Sequence, residues 1–299
     1  NDTFIAKGLI GFSNHNHFPS FHGFSIFRYD NSFYGYIYPG YTNTIRKYNI
    51  TKKTVGFNSI KEDVSGLGFE NNWITLQFGR GRESWGAGDD IQLALSNNSA
   101  PYDYFLMSSD FGKIRVKYIH GFLETYEENI NRYITARGLE WTNKRSLILG
   151  LSETVVYSGL NRSLDIGYIN PISSHLEIEL NNRLNIPGDS NSNAVWQLHL
   201  DYFKEPFRVS GNYLIDEFVL DRKIQIGKAH GTAYSIRLAY SPIFIEKHLL
   251  TIYTKVMKVG TSTFRHKLGT NNFVQNAMPL GWNKGSDGAE ICVGLNYYN

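Results

Sequence analysis

Charged or polar residues alternate with apolar or aromatic ones in strand-length segments along the whole chain, and that period of two constrains the fold more than any other feature. In Lys113-Ile114-Arg115-Val116-Lys117-Tyr118 every second residue is cationic and each intervening one is apolar or aromatic. A strand sends successive side chains to opposite faces, whereas a helix of this pattern would have no dry side. His175-Leu176-Glu177-Ile178-Glu179-Leu180 repeats the pattern with acidic residues, and Trp196-Gln197-Leu198-His199-Leu200-Asp201-Tyr202 repeats it with mixed ones. Faces this wet and this apolar fit a barrel wall between water and lipid. A Lys or Arg at the hydrocarbon midplane costs about 2–4 kcal/mol. The expectation is therefore that Ile114, Val116 and Tyr118 face lipid, while Lys113, Arg115, Lys117, Glu177 and Glu179 face the lumen.

The rest of the chain is consistent with this. Tyr numbers 20 and Phe 19 against 8 Pro and 3 Met, a balance that suits strands and interfacial aromatic girdles. No run approaches the roughly 20 apolar residues of a spanning helix, which says nothing against strands that hide hydrophobicity in alternation. Asp30-Asn31 and Asn71-Asn72 are turn chemistry between strand patterns. The second hairpin should carry Ile74, Leu76 and Phe78 on one face, with Thr75 and Gln77 inward. Strand patterns recur down to residue 298, including His175–Leu184 and a short one at 223–227. The expected fold is a single all-β domain over residues 1–299, an antiparallel transmembrane barrel of roughly 14 to 18 strands. The long glycine-rich stretch from Gly79 to Gly112 is expected to fold toward the lumen, since loops of that size are usually functional or inward-folded.

The net charge of +3 is spread rather than gathered into a stripe, so nucleic acid is not an expected partner. The lone Cys292 alternates with Ile291 and Val293 and reads as a small strand residue. His15, His17 and His22 lie in an Asn-rich setting without a cysteine, and no metal or other cofactor is expected. Gly79-Arg80-Gly81-Arg82-Glu83-Ser84-Trp85 lacks the Gly-Lys-Ser/Thr ending of a phosphate loop. Its glycines suit a folded-in loop in which Arg80 or Arg82 meets an inward carboxylate such as Glu153, Glu177 or Glu179. Trp85 either packs as part of a plug or stacks on a sugar face. No Gly-x-Ser-x-Gly elbow or other catalytic constellation occurs, so no enzyme is expected. The start at Asn1-Asp2-Thr3 suggests a processed product or a fragment.

Several segments, in order, resemble the capsule-assembly outer-membrane barrels of the Wzi type in the form common in the Bacteroidetes. They are Phe78-Gly79-Arg80, Ser84-Trp85-Gly86-Ala87-Gly88, Leu95-Ser96-Asn97-Asn98-Ser99-Ala100-Pro101 and Tyr118-Ile119-His120-Gly121-Phe122-Leu123. Gly150-Leu151-Ser152-Glu153-Thr154, Tyr168-Ile169-Asn170-Pro171, Leu214-Ile215-Asp216-Glu217-Phe218 and Pro279-Leu280-Gly281 continue the series. The resemblance implies a bacterial outer-membrane location and non-catalytic binding of surface polysaccharide. Arg80, Arg82, Glu83, Trp85 and Trp282 are the candidate glycan or lumen-loop residues. Outer-membrane lipid and other outer-membrane proteins are the further expected partners. The alternatives are a diffusion channel for small polar solutes and an accessory barrel scaffolding a larger complex.

Overall fold

A computed structural model describes residues 4–15, 18–42, 64–126, 129–181, 192–216, 231–245 and 248–298. The chain opens with β1 (Phe4–His15), β2 (Phe18–Tyr29), β3 (Phe33–Tyr38), β4 (Gly40–Thr42), β5 (Val64–Glu70) and β6 (Ile74–Gly81). It continues with β7 (Tyr102–Asp110), β8 (Ile114–Phe122), β9 (Ile130–Thr142) and β10 (Leu147–Leu160). Two short helices follow, α1 (Ile166–Ile169) and α2 (His175–Leu180), then β11 (Ser192–Lys204), β12 (Phe207–Ile215), β13 (Thr232–Ile245) and β14 (His248–Val259). The small hairpin β15 (Val274–Gln275) and β16 (Met278–Pro279) precedes the last strand, β17 (Gly288–Tyr298).

All but β15 and β16 form one 15-stranded sheet whose neighbours follow chain order, with β4 attached beside β2. Every ladder in it is antiparallel. Among the described residues no ladder joins β17 to β1. The strand count and antiparallel order are those expected from the alternation.

The two faces of the sheet differ as lipid and lumen faces must. Leu139, Leu151, Leu198, Tyr213, Ile236, Leu238, Ile291 and Val293 share one face and are exposed. The other face carries Ile119, Ile134, Val195, Leu214, Met257 and Val259, buried against interior loops. In the second hairpin, Phe78 lies exposed with the outward set, while inward Gln77 accepts from Tyr34 Oη and donates to Tyr104 Oη, both at 2.9 Å. Connections at one rim are short, as at Phe111-Gly112-Lys113, and those at the other carry the long loops, the asymmetry of outer-membrane barrels.

Two expectations need correction here. The irregular stretch is 82–101, not Gly79–Gly112, because β6 still pairs through Gly81 and β7 begins at Tyr102. His175–Leu180 is a helix, not a strand: Ser174 Oγ accepts from the backbone of Glu177 at 3.2 Å, and Ile178 N donates to Ser174 O at 3.0 Å. The Ser-x-x-Glu spacing is that of a helix-starting box. This helix lies outside the wall, where Ile178 and Tyr168 are buried against outward Tyr133, Val155, Tyr157 and Ala194. Glu177 is therefore not a lumenal wall charge; it bonds Asn181 on the insertion itself. The Glu179 side chain, His17 and the expected strand at 223–227 lie outside the described residues, whereas His15 and His22 fall on β1 and β2.

Candidate functional site

The lumen is filled by two loops, 82–101 and 260–287, and their seating begins with apolar residues in the first. Ile91, Leu93 and Leu95 are fully buried among Tyr102, Ile119, Val195 and Leu214. Buried backbone polar groups need partners, and inward side chains of the wall provide them. Asn212 accepts from Ala87 N at 2.7 Å and donates to Ala87 O at 3.0 Å and Ile91 O at 3.1 Å; Ser235 Oγ donates to Ile91 O at 2.6 Å. Gly86 passes beside Asn212 and Gln197 at a φ of +113°, a conformation that favours glycine.

The second loop locks over the first. Trp282 N donates to Leu93 O at 3.1 Å, Ser96 N to Leu280 O at 2.9 Å, and Ser96 Oγ to Gly281 O at 2.5 Å. A Cβ at Gly281 would collide with the Leu93 carbonyl, so the crossing of the two loops requires glycine there. From β9, the fully buried Arg132 donates to the carbonyls of Thr270, Asn272 and Val274 at 2.5, 2.8 and 3.1 Å and pairs with Glu124 at 3.1 Å.

Charge of both signs lines the space around this plug. Lys117 Nζ meets Glu83 at 2.5 Å and sits 5.2 Å from the centre of the Trp85 ring. Asp90 bridges Arg237 at 3.4 Å and Lys255 at 3.1 Å, and Lys255 also reaches Glu290 at 3.2 Å, which Lys284 meets at 3.1 Å. Glu140 stands 3.1 Å from His199 and 3.7 Å from Arg115. The pairs of Glu83, Asp90 and Lys284 hold loops to wall, because removing one partner strands the other in restricted water.

The candidate residues divide between the plug and the outer surface. Glu83 and Trp85 are buried in the plug, and Arg82 Nε donates to Ser99 O at 2.6 Å within it. Trp282 is also buried, at the wall of a cavity of about 110 Å³ that Phe264, Arg265, Asn272 and Ser286 share. Arg115 and Lys117 face inward from β8, whereas Lys113 is exposed in the turn before it. Ile114 and Val116 occupy the outward face, but Tyr118 on that face is covered, its hydroxyl donating to Tyr168 O at 3.1 Å.

Glu153 takes partners other than the expected Arg80 or Arg82, and the Glu179 side chain lies outside the described residues. Arg80 shares the outward parity of Phe78 and pairs with Asp103 at 2.9 Å across the β6–β7 ladder. Glu153 faces outward too, under the helical insertion. Arg137 lies 3.3 Å from it, Trp196 Nε1 donates to it at 2.9 Å, and His175 N donates to both its oxygens at 3.0 Å. Arg132 and the Arg137–Glu153 pair escaped sequence reasoning. Glu153 and Arg137 are cross-strand partners of β9 and β10, which only the register reveals.

No protein-family model and no curated protein matches the chain. Among solved structures, the chain is similar to Wzi, an outer membrane protein involved in group 1 capsule assembly in Escherichia coli and a carbohydrate-binding β-barrel. The TM-score is 0.66 at 13% identity, over 99% of this chain and 66% of that one. The chain thus spans just under two thirds of that protein's length. It also aligns with the OmpT loop-L8 deletion mutant of Vibrio cholerae (TM-score 0.46, 11% identity, 99% and 87% of the two chains). A third alignment is to an anion-selective porin from Comamonas acidovorans (TM-score 0.42, 10% identity, 100% and 98%). The likeness at 0.66 shows the fold, an outer-membrane β-barrel.

Proposed function

We propose that this barrel binds surface polysaccharide without catalysis at the long-loop rim of a bacterial outer-membrane protein, and so retains polymer at the cell exterior. The observation that carries the reading is the plug. Loops 82–101 and 260–287 are cross-braced to each other and to the wall, which favours a presenting surface over an open passage. The likeness to a barrel described as carbohydrate-binding supports it. In this reading Trp85 and Glu83 hold the plug, and Trp282 shapes the recess where Arg265, Asn272 and Ser286 offer polar contacts to a sugar. Arg80 and Arg82 contribute charge near the rim.

The test is gene deletion with measurement of cell-bound against released polysaccharide. Continued synthesis with a shift of polymer to the medium is the expected result. An unchanged ratio with polymer still produced would sink the proposal. Conductance in planar bilayers would then favour a solute channel, and stoichiometric co-purification with other outer-membrane proteins would favour a scaffold.

A further inference from the structure

A hollow of about 720 Å³ lies on the outward face of the wall, below the helical insertion and apart from the plug. Outward side chains of β6 to β10, Ile74, Met107, Val116, Leu139 and Leu151, form its apolar floor. Pro171 and Ile172 of the insertion close the end toward the long-loop rim, with the Arg137–Glu153 pair behind them. At the other end stand Trp73 and Phe111, which belong to short turns. Short turns mark the periplasmic rim and aromatic residues the level of the headgroups.

This hollow is therefore immersed in hydrocarbon and roofed on the outer side, so an elongated apolar guest enters from the periplasmic leaflet. The entrance carries a basic excess, since the carboxylate of Asp110 in the same turn is taken by Gly112 N and by Arg115 at 3.3 Å. Lys113 follows Phe111 by two residues, and Lys144 of the β9–β10 turn lies close enough that a Cβ on Gly112 would stand 3.8 Å from its Nζ. Both side chains are exposed. The insertion fits the same setting, since Ile166, Ile169, Ile172 and Leu176 are exposed on it and would sit among lipid tails.

We infer that the hollow holds one acyl chain of an anionic glycerophospholipid of the periplasmic leaflet, with the lipid phosphate at Lys113 and Lys144. The chain fills apolar volume that bulk lipid would have to leave irregularly packed, and the two ammonium groups select the headgroup charge. The inference stands independently of polysaccharide binding.

Native mass spectrometry of the full barrel in micelles doped with phosphatidylglycerol or phosphatidylcholine tests it. Wild type should retain one phosphatidylglycerol in preference to phosphatidylcholine. Leu151→Trp, which fills the floor with another lipid-compatible side chain, should abolish retention, while Leu200→Trp, on the same face but outside the hollow, should not. Lys113→Gln and Lys144→Gln should each reduce the preference about fivefold, as expected for one cation near an anionic surface. Absence of retained phosphatidylglycerol on wild type, or equal retention by the two Trp variants, would overturn the inference. So would a preference that survives both Lys substitutions.

Discussion

Arg132 shows how much of the plug depends on one side chain. Its guanidinium is fully buried, and three loop carbonyls and Glu124 take its donors. Arg132→Met leaves those acceptors unsatisfied and Glu124 alone, at a cost of about 3–5 kcal/mol to loop seating. The expected outcome is proteolysis within 260–287 while the wall stays intact, read by limited digestion. His175 gives a second residue-scale prediction. Burial, and then the charge of Arg137, lowers its pKa from 6.5 to about 4. Between those values the folded protein binds fewer protons than the unfolded chain, so its contribution is complete above pH 6.5 and declines as pH falls toward 4. Tyr168 Oη bonds the ring at Nδ1, Arg137 lies near enough to act on it, and loss of the neutral imidazole should loosen the insertion from the wall. Hydrogen exchange of the 166–180 amides in the detergent-solubilised barrel should rise on acidification in wild type and rise less in His175→Phe.

Among the elements, most wall strands were legible, but β1 was not read and β7 lay inside the stretch expected to be loop, and the helical insertion was not legible at all. Alternation at Lys113–Tyr118 identified β8 because each face meets a different solvent over a full strand. The same alternation misled at His175–Leu180, where six residues suit either period and Ser174 as the helix-starting residue was the overlooked signal. Arg137 and Glu153 were unreadable as outward residues because alternation gives parity, not what covers a face. The burial of Trp282 was hidden for a similar reason: its polar surroundings suggest exposure, yet Gly281 lets the loop cross directly over Leu93. That crossing and the seat of Gly86 make the plug testable as a unit. Gly86→Ala places a methyl against Asn212 and Gln197 at a φ of +113°, and should destabilise the seat by more than about 1 kcal/mol. Conductance events in planar bilayers should become more frequent than in wild type, and deletion of residues 84–99 should give larger, longer openings.

At the scale of the whole molecule, a surface that retains polymer by repeated weak contacts should bind long chains far better than short ones. Titration of purified barrel with size-fractionated polysaccharide should show affinity rising with chain length, and equal affinity for short and long fractions would contradict retention by avidity. The placement of α1 and α2 outside the wall also has a consequence for biogenesis. Bare Arg137 and Glu153 would carry charge into hydrocarbon, where a cation on the lipid face costs about 2–4 kcal/mol. The β9–β10 hairpin therefore has to meet its helical cover before or as it enters the membrane, rather than afterwards.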